Sequence, residues 1–538
     1  MAGSAHYRSG HPDAGAAQRD DEPRPIEGYG SGEICEEPGP SDGFPVQPPS
    51  QGPTRQTGFD FRVQGESDLR PRLFLAPPPS VSKYKIAQVE CRILESETGR
   101  QPAPGSREHT AAAKIRLERN GRVGMPTKEF GATSPATPRI PGVGLRSVEL
   151  FTGAGGLALG IERAGFHHDI VVERDRDCCA TLAENQNNGF AALQGWKVFS
   201  GDVRDFDYAS VATNPDLLAG GPPCQPFSIG GKHKGPLDRR DMFPQMVRAV
   251  RELQPKAVLV ENVRGLLRES FAKYFEYITL QLRYPELVSK SNEDWTDHLS
   301  RLERHHTKGS SKGLHYNVVF RPVNAANYGV PQKRHRVIIV GFRADLGVEW
   351  SFPDPTHSED ALLHDQWVSG TYWERHKAAK KDRPKLPARM TKRIGRLRQD
   401  RIDGLVAAQP WRTVRDALVG IPDPERSTSK LWLNHQFNQG ARSYPGHTGS
   451  PLDEAAKTLK AGDHGVPGGE NMMMKPDGSI RYFTVRESAR LQTFPDDYSL
   501  HGAWTEAMRQ LGNAVPVLLG EKLAVGIRRQ LELADGRS

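Results

Sequence analysis

SVELFTGAGGLALGIERAGFHHDIVVE, residues 147–173, reads as a strand, a turn, a helix and a second strand. The run 147–151 stops at a turn holding Gly153, Gly155 and Gly156. Leu157, Ile161 and Ala164 then recur at helical spacing, and 170–172 is a short apolar strand. A strand, a covering helix and a strand make a βαβ unit, which implies parallel pairing and an α/β fold. The rhythm continues outward. A third strand at 198–200 ends at Gly201-Asp202-Val203, and a fourth at 216–219 ends in Gly220-Gly221-Pro222-Pro223. A fifth, 257–260, runs into Glu261-Asn262-Val263. The expected architecture is a doubly wound, mostly parallel sheet. In such sheets ligands gather outside the carboxyl ends of the strands. Five strand ends therefore carry Phe151, Glu173, Asp202, Cys224 and Glu261 to one edge.

Each of these residues also has an ordinary reading. Gly153-x-Gly155-x-x-Ala158, with Glu173 twenty residues after Gly153, fits the glycine fingerprint shared by nicotinamide, flavin and S-adenosylmethionine (AdoMet) enzymes. Glycines admit a ligand close to the backbone, and a carboxylate at the second strand end accepts hydrogen bonds from ribose hydroxyls. Cys224 stands after two prolines that fix backbone φ, so its thiol is stiffly supported; a lone cysteine is more often a buried structural residue. A carboxylate at one strand end is often just solvated. Five useful groups at five strand ends are not dismissed that way.

The 538 residues carry a formal net charge of +8, which suits a polyanionic partner. Five cysteines without C-x-x-C spacing indicate neither a disulfide framework nor a zinc site, and imply a reducing setting. No apolar run approaches the ~20 residues of a membrane span, and the amino terminus has no signal-peptide core. The first 60 residues are dense in Gly, Pro, Ser and charge, and Pro keeps interrupting the apolar patches from 59 to 139. Residues 1–140 read first as a poorly ordered tail; the alternatives are a small interaction module or translated sequence upstream of a start near Met125. Residues 269–313 read as a polar, solvated, helical insertion. Between 375 and 401 stand twelve Lys or Arg, including Arg393 and Arg396, a density that suits phosphate contact.

Six stretches now carry a resemblance: ELFTGAGGLALG, GGPPCQPFS, ENVRGL, QKRHRVIIVGF, RESARLQTFPDDY and GNAVPVLL. In this order they resemble the DNA (cytosine-5) methyltransferases, bacterial restriction-modification or orphan type, over about 147–523. The resemblance implies an AdoMet-dependent, Rossmann-like catalytic domain at 145–342, a smaller irregular target-recognition domain at 343–482, and a segment at 483–530 returning to the first. It implies Cys224 as the nucleophile on carbon 6 of a flipped-out cytosine and Glu261 as proton donor to ring nitrogen 3. Arg334 and Arg336 would hold the base's carbonyl oxygen, the neighbouring phosphate and the cysteine loop. For AdoMet it implies Phe151, Gly153, Gly155, Gly156, Leu157, Glu173, Arg174, Asp202, Val203, Pro222, Asn513 and Val515, with no metal.

Ser228, Lys232 and Lys234 make the segment after Cys224 a candidate DNA-contacting loop, and His464 with Asn471 marks a Gly-rich stretch able to read base edges. Glu487, Arg490 and Gln492 are expected to be structural, and a helix at 515–523 to be capped by Asn513. The expected partners are double-stranded DNA and a cognate restriction endonuclease, for a monomer in the bacterial cytoplasm at the nucleoid, with no membrane. An RNA cytosine-5 methyltransferase and a catalytically silent DNA-binding homologue are the alternatives. A nicotinamide oxidoreductase fits the first turn alone.

Overall fold

The structure is a computed structural model that describes residues 144–223, 241–309, 312–399, 408–426, 431–445, 447–461 and 471–536. Cys224, Ser228, Lys232, Lys234 and His464 lie outside the described residues.

The chain alternates through β1 (Leu145–Leu150), α1 (Gly156–Arg163), β2 (Phe166–Glu173), α2 (Arg176–Asn187), β3 (Lys197–Ser200), β4 (Leu217–Gly220), α3 (Phe243–Leu253) and β5 (Ala257–Val263). Helices α4 (Ala272–Arg283) and α5 (Trp295–Thr307) follow, then β6 (Tyr316–Asn324) and β7 (His335–Arg343). Seven strands form one sheet in the order β3-β2-β1-β4-β5-β7-β6. Pairing is parallel from β3 across to β5, whereas β7 runs antiparallel to both β5 and β6. Chain order reverses between β1 and β4, the switch point at which doubly wound sheets open a crevice. The expected α/β sheet is present.

Several boundaries differ from the sequence expectation for identifiable reasons. Strand β2 begins at Phe166 because Gly165, at φ +91°, turns the chain directly out of α1. Strand β5 includes Glu261, Asn262 and Val263, which pair with Ile338, Val337 and Arg336 of β7. Glu261 is therefore a strand residue, not a loop residue. The 269–313 insertion is not simply solvated. Phe271, Tyr274, Phe275, Ile278 and Leu282 are buried in the main core with Val258 and Ile339, so α4 is a covering helix of the sheet.

Helix α12 (Val517–Ala534) closes the other face against α1. A Cβ on Gly156 would stand 2.2 Å from the Val515 carbonyl oxygen, and one on Gly160 2.5 Å from that of Val517. The glycines thus serve close backbone approach between segments far apart in sequence. Gly160→Val inserts a branched side chain into that contact and is expected to destabilise by ~1–3 kcal/mol. Thermal unfolding would show it as a midpoint lowered by several degrees; an unchanged midpoint would sink this account of the contact.

Beyond β7 the alternation is lost, as the sequence suggests. Short elements β8 (His357–Ser358), α6 (Glu359–His364), α7 (Thr371–Arg375), α8 (Thr391–Gln399), β9 (Gln409–Pro410) and α9 (Val414–Ala417) lead to β10 (Ser450–Pro451), β11 (Met472–Met474) and β12 (Ile480–Tyr482). Helices α10 (Val485–Leu491) and α11 (Trp504–Asn513) precede α12. Leu159, Val171, Leu459, Phe483, Leu491 and Leu511 share one apolar cluster, so the later segments pack on the α1 side of the sheet. No helix among the described residues is long and apolar enough to cross a membrane.

Candidate active site

Register builds the site. Leu150 pairs with Val172 and with Gly220; Val172 pairs with Phe199, and Gly220 with Val260. One step further along each strand therefore brings Phe151, Glu173, Ser200, Gly221 and Glu261 into a single row.

On the glycine-turn side, Phe151 is held at φ +59° and Gly153 and Gly155 at +58° and +83°. A positive φ at a bulky residue costs energy, and such strain collects at functional turns. A Cβ on Gly153 would meet nothing within 4 Å, so the turn is open there. Glu173 spans it: Oε2 accepts the Gly153 N–H at 2.6 Å, and Oε1 accepts those of Arg174 and Asp175 at 2.8 and 2.7 Å. Asp202 lies beside this cradle. Arg204 donates to it at 2.9 and 2.6 Å, and Arg174, 68% exposed, at 3.1 Å. Hydrogen bonding from Arg204 holds the Asp202 carboxyl well below its usual range.

Beneath the turn, Glu149 is buried and its carboxyl is pushed up by burial. His168 lies 3.8 Å away, lowered to about 3, chiefly by burial. The Tyr498 hydroxyl donates to the Ala154 carbonyl at 2.8 Å, pinning the turn from 344 residues away. Sequence reading missed both supports. Tyr498 closes RESARLQTFPDDY, and that position was the available signal. The side chains of Leu157, Val203 and Val515 belong to the apolar clusters beneath the strand ends. Asn513 ends α11 and is exposed, while Pro516 is the N-cap of α12; the expected Asn513 cap is absent because α11 runs through that position.

On the other side, Glu261 is 8% exposed and Arg336 9%. Arg336 Nε stands 2.5 Å from Glu261 Oε1, a close ion pair rather than an aligned hydrogen bond. Glu261 Oε2 lies 3.4 Å from where a Cβ on Gly221 would stand. The carboxyl thus adjoins the turn that leads, through buried Pro222, to Cys224 three residues on. Asn262, which sequence reading left unassigned, donates to the Pro222 carbonyl at 3.1 Å. It ties the proline turn to β5.

Arg334 is fully buried; NH1 donates to the Leu459 carbonyl at 3.1 Å, and NH2 to those of Gly512 and Ala514 at 2.8 Å each. These bonds join three chain segments, a tie that the sequence reading did not anticipate. Two expectations are corrected. Asn471 is 1% exposed, and its amide pairs with the Lys460 backbone N–H and carbonyl at 3.0 and 2.9 Å, so it is not a base reader. Arg393 is committed to Glu359 and Asp360 at 2.7 and 2.6 Å, whereas Arg396 is exposed. Glu487 accepts from Arg481 at 2.7 and 2.6 Å and completes a capping box with Thr484. Arg490 pairs with Asp496, and the Gln492 amide donates to the Leu511 carbonyl at 2.6 Å.

This strand-end arrangement has relatives. The family model described as C-5 cytosine-specific DNA methylase matches residues 145–284 and 296–529, and the gap falls between α4 and α5. The chain is 32% identical over 394 residues to Type II methyltransferase M.PspPI of Psychrobacter sp., covering 72% of this chain and 80% of that one. It is 30% identical over 399 residues to Type II methyltransferase M.NgoMIV of Neisseria gonorrhoeae, covering 72% and 98%. Against M.Eco47II of Escherichia coli, another Type II methyltransferase, identity is 31% over 384 residues, covering 70% and 77%. Both the seven-stranded sheet and helices α10 and α11 fall inside the family match, and the chain belongs to the C-5 cytosine-specific DNA methylase family, the DNA (cytosine-5) methyltransferases.

Proposed function

We propose that this DNA cytosine methyltransferase uses AdoMet to methylate carbon 5 of a flipped-out cytosine in a short, specific duplex sequence, through a covalent adduct of Cys224 at carbon 6. The observation that carries the reading is the buried Glu261–Arg336 pair, set against Gly221 at the start of the proline turn that leads to Cys224.

Carbon 5 of cytosine is a weak nucleophile. The Cys224 thiolate forms a bond to carbon 6, and the electrons of the 5,6 double bond move into the ring. Glu261, an anion in the free protein, must take up a proton from solvent as the base binds; passing it to ring nitrogen 3 neutralises that charge, and carbon 5 becomes enamine-like. AdoMet, when bound, supplies the electrophilic methyl group. Loss of the carbon 5 proton and departure of the Cys224 sulfur then restore aromaticity. Arg336 holds the Glu261 carboxyl in place while this happens. A cytosine in a stacked duplex is out of reach, so the base must flip, at a cost of a few kcal/mol.

AdoMet fits the residues present. The open side of Gly153, the positive end of α1 and the carboxylates Glu173 and Asp202 suit an amino acid moiety, a ribose and an adenine amino group. Segment 343–482 is assigned to target recognition and 145–342 to catalysis, with 483–530 completing the cofactor side. The Type II relatives favour a bacterial restriction-modification role. To this we add a cognate endonuclease as partner and a monomer acting at the nucleoid.

The test is transfer of labelled methyl from AdoMet to unmodified duplex DNA and, in parallel, to RNA. Label in DNA, located at cytosine carbon 5 by bisulfite sequencing, is expected. Label in RNA alone, or AdoMet binding without transfer, would overturn the reading in favour of an RNA enzyme or a silent binder.

A further inference from the structure

Residues 371–399 hold eleven Lys or Arg and two acids, and the structure separates the committed cations from the rest. Arg375 and Arg393 are paired with acids. Arg383 and Arg398 donate to the Ala378 and Trp367 carbonyls. The other seven are all exposed: Lys377, and Lys380, Lys381, Lys385, Arg389, Lys392 and Arg396.

Their arrangement is not a random coil of charge. In α8, Ile394 and Leu397 are buried against Leu363, Trp367 and Met390. Lys392 and Arg396, one helical turn apart, fall on the opposite side, and Arg389 of the preceding 3-10 turn extends the stripe. An apolar stripe fixes the helix, so the basic stripe faces water by construction.

The module that carries α8 is fastened to the catalytic rim. The short 3-10 turn Ala325–Tyr328 precedes β7, whose first residues pair with the carboxyl end of β5. Trp411 Nε1 donates to Asn327 Oδ1 at 2.9 Å, and the Thr356 N–H donates to the Asn327 carbonyl at 2.9 Å. The His357 ring lies where a Cβ on Gly329 would be 2.8 Å away. Farther along, the Tyr372 hydroxyl donates to Asp453 at 2.9 Å, and the Lys333 N–H to the Ala456 carbonyl at 2.7 Å. The basic module is thereby joined to the turn that precedes β7, the strand that carries Arg336.

We propose that the α8 stripe, with Lys380, Lys381 and Lys385, is a phosphate-binding surface for duplex DNA flanking the methylated site. This rests on the reading of the protein as a DNA methyltransferase. A duplex that delivers a base to the row at the sheet edge must cross that rim. Lysine and arginine side chains without acidic partners neutralise phosphates and release counterions, without reading sequence.

The experiment uses the full chain and the variant K385Q/R389Q/K392Q/R396Q, in two assays over a salt series. One is anisotropy of a long labelled duplex; the other is methyl transfer to long and short duplexes containing the site. Each phosphate contact contributes about 0.9 to the slope of log affinity against log salt, so the slope is expected to fall by about three to four. KM for the long duplex rises while kcat holds, and the charge-conserving variant K385R/R389K/K392R/R396K keeps the wild-type slope. An unchanged slope overturns the proposal, even where wild type transfers methyl normally. An equal loss in the charge-conserving variant also overturns it, since that would mark a structural role. Absence of transfer by wild type would sink the enzyme reading instead, and anisotropy would still decide the surface.

Discussion

Serine in place of Cys224 is expected to lower methyl transfer by on the order of ten-thousand-fold while AdoMet binding stays intact. The substitution changes one atom and almost no volume. A free thiol ionises with a pKa of about 8.5, whereas an alcohol scarcely ionises in water, so only the thiol presents an anion to carbon 6 near neutral pH. The turn that delivers the residue is stiff on its near side: Pro222 is buried, and its carbonyl accepts from Asn262 of β5. A serine there would be aimed equally well and still fail, which separates chemistry from positioning. DNA containing 5-fluorocytosine gives a second readout. Fluorine at carbon 5 cannot leave as a proton does, so the wild-type adduct persists through denaturation and the serine variant gives none. Transfer by Cys224→Ser within tenfold of wild type would remove Cys224 as nucleophile.

How much of this was legible in the sequence depended on the range of the signal. The βαβ unit at 147–173 was readable because strand, turn and helix periods are local. The row of strand ends followed, since parallel strands place their carboxyl ends together. Contacts without a local period were hidden. Gly156 looks like part of a nucleotide turn; its packing on Val515, like that of Gly160 on Val517, requires the fold. Arg334 and Arg336 stand two residues apart in a basic turn, yet one is sealed against three carbonyls and the other meets Glu261. Arg334 lies just before β7, which begins at His335, whereas Arg336 is in register with Val263 of β5, and the sequence does not say which neighbours wait at either position. The polar run Glu261-Asn262-Val263 marks the end of an apolar strand at 257–260 in the sequence, yet the antiparallel partner β7 carries pairing through it. Arg393 drew its partners from Glu359 and Asp360, more than thirty residues back.

Glu261→Gln is expected to reduce kcat by ~10²–10⁴ with little change in AdoMet affinity. The amide keeps the size and the strand position, and its NH₂ can still offer a hydrogen bond to ring nitrogen 3. It cannot surrender a proton, so charge driven into the ring by the attacking sulfur is left uncompensated. The substitution also removes the anion facing Arg336. With side chains only 11% and 10% exposed, the pair is largely shielded from water, and breaking one half leaves a cation without its counter-charge. A stability loss therefore accompanies the catalytic one, and the two must be separated. Arg336→Lys makes the separation: it retains the charge but loses the planar donor set, and should disturb alignment of Glu261 more than folding. If Glu261 is the proton donor, Glu261→Gln at full thermal stability is still deeply impaired, and Arg336→Lys falls between it and wild type. If Glu261→Gln transfers methyl at near the wild-type rate, the carboxyl serves only to anchor Arg336, and the proton at ring nitrogen 3 must come from another group.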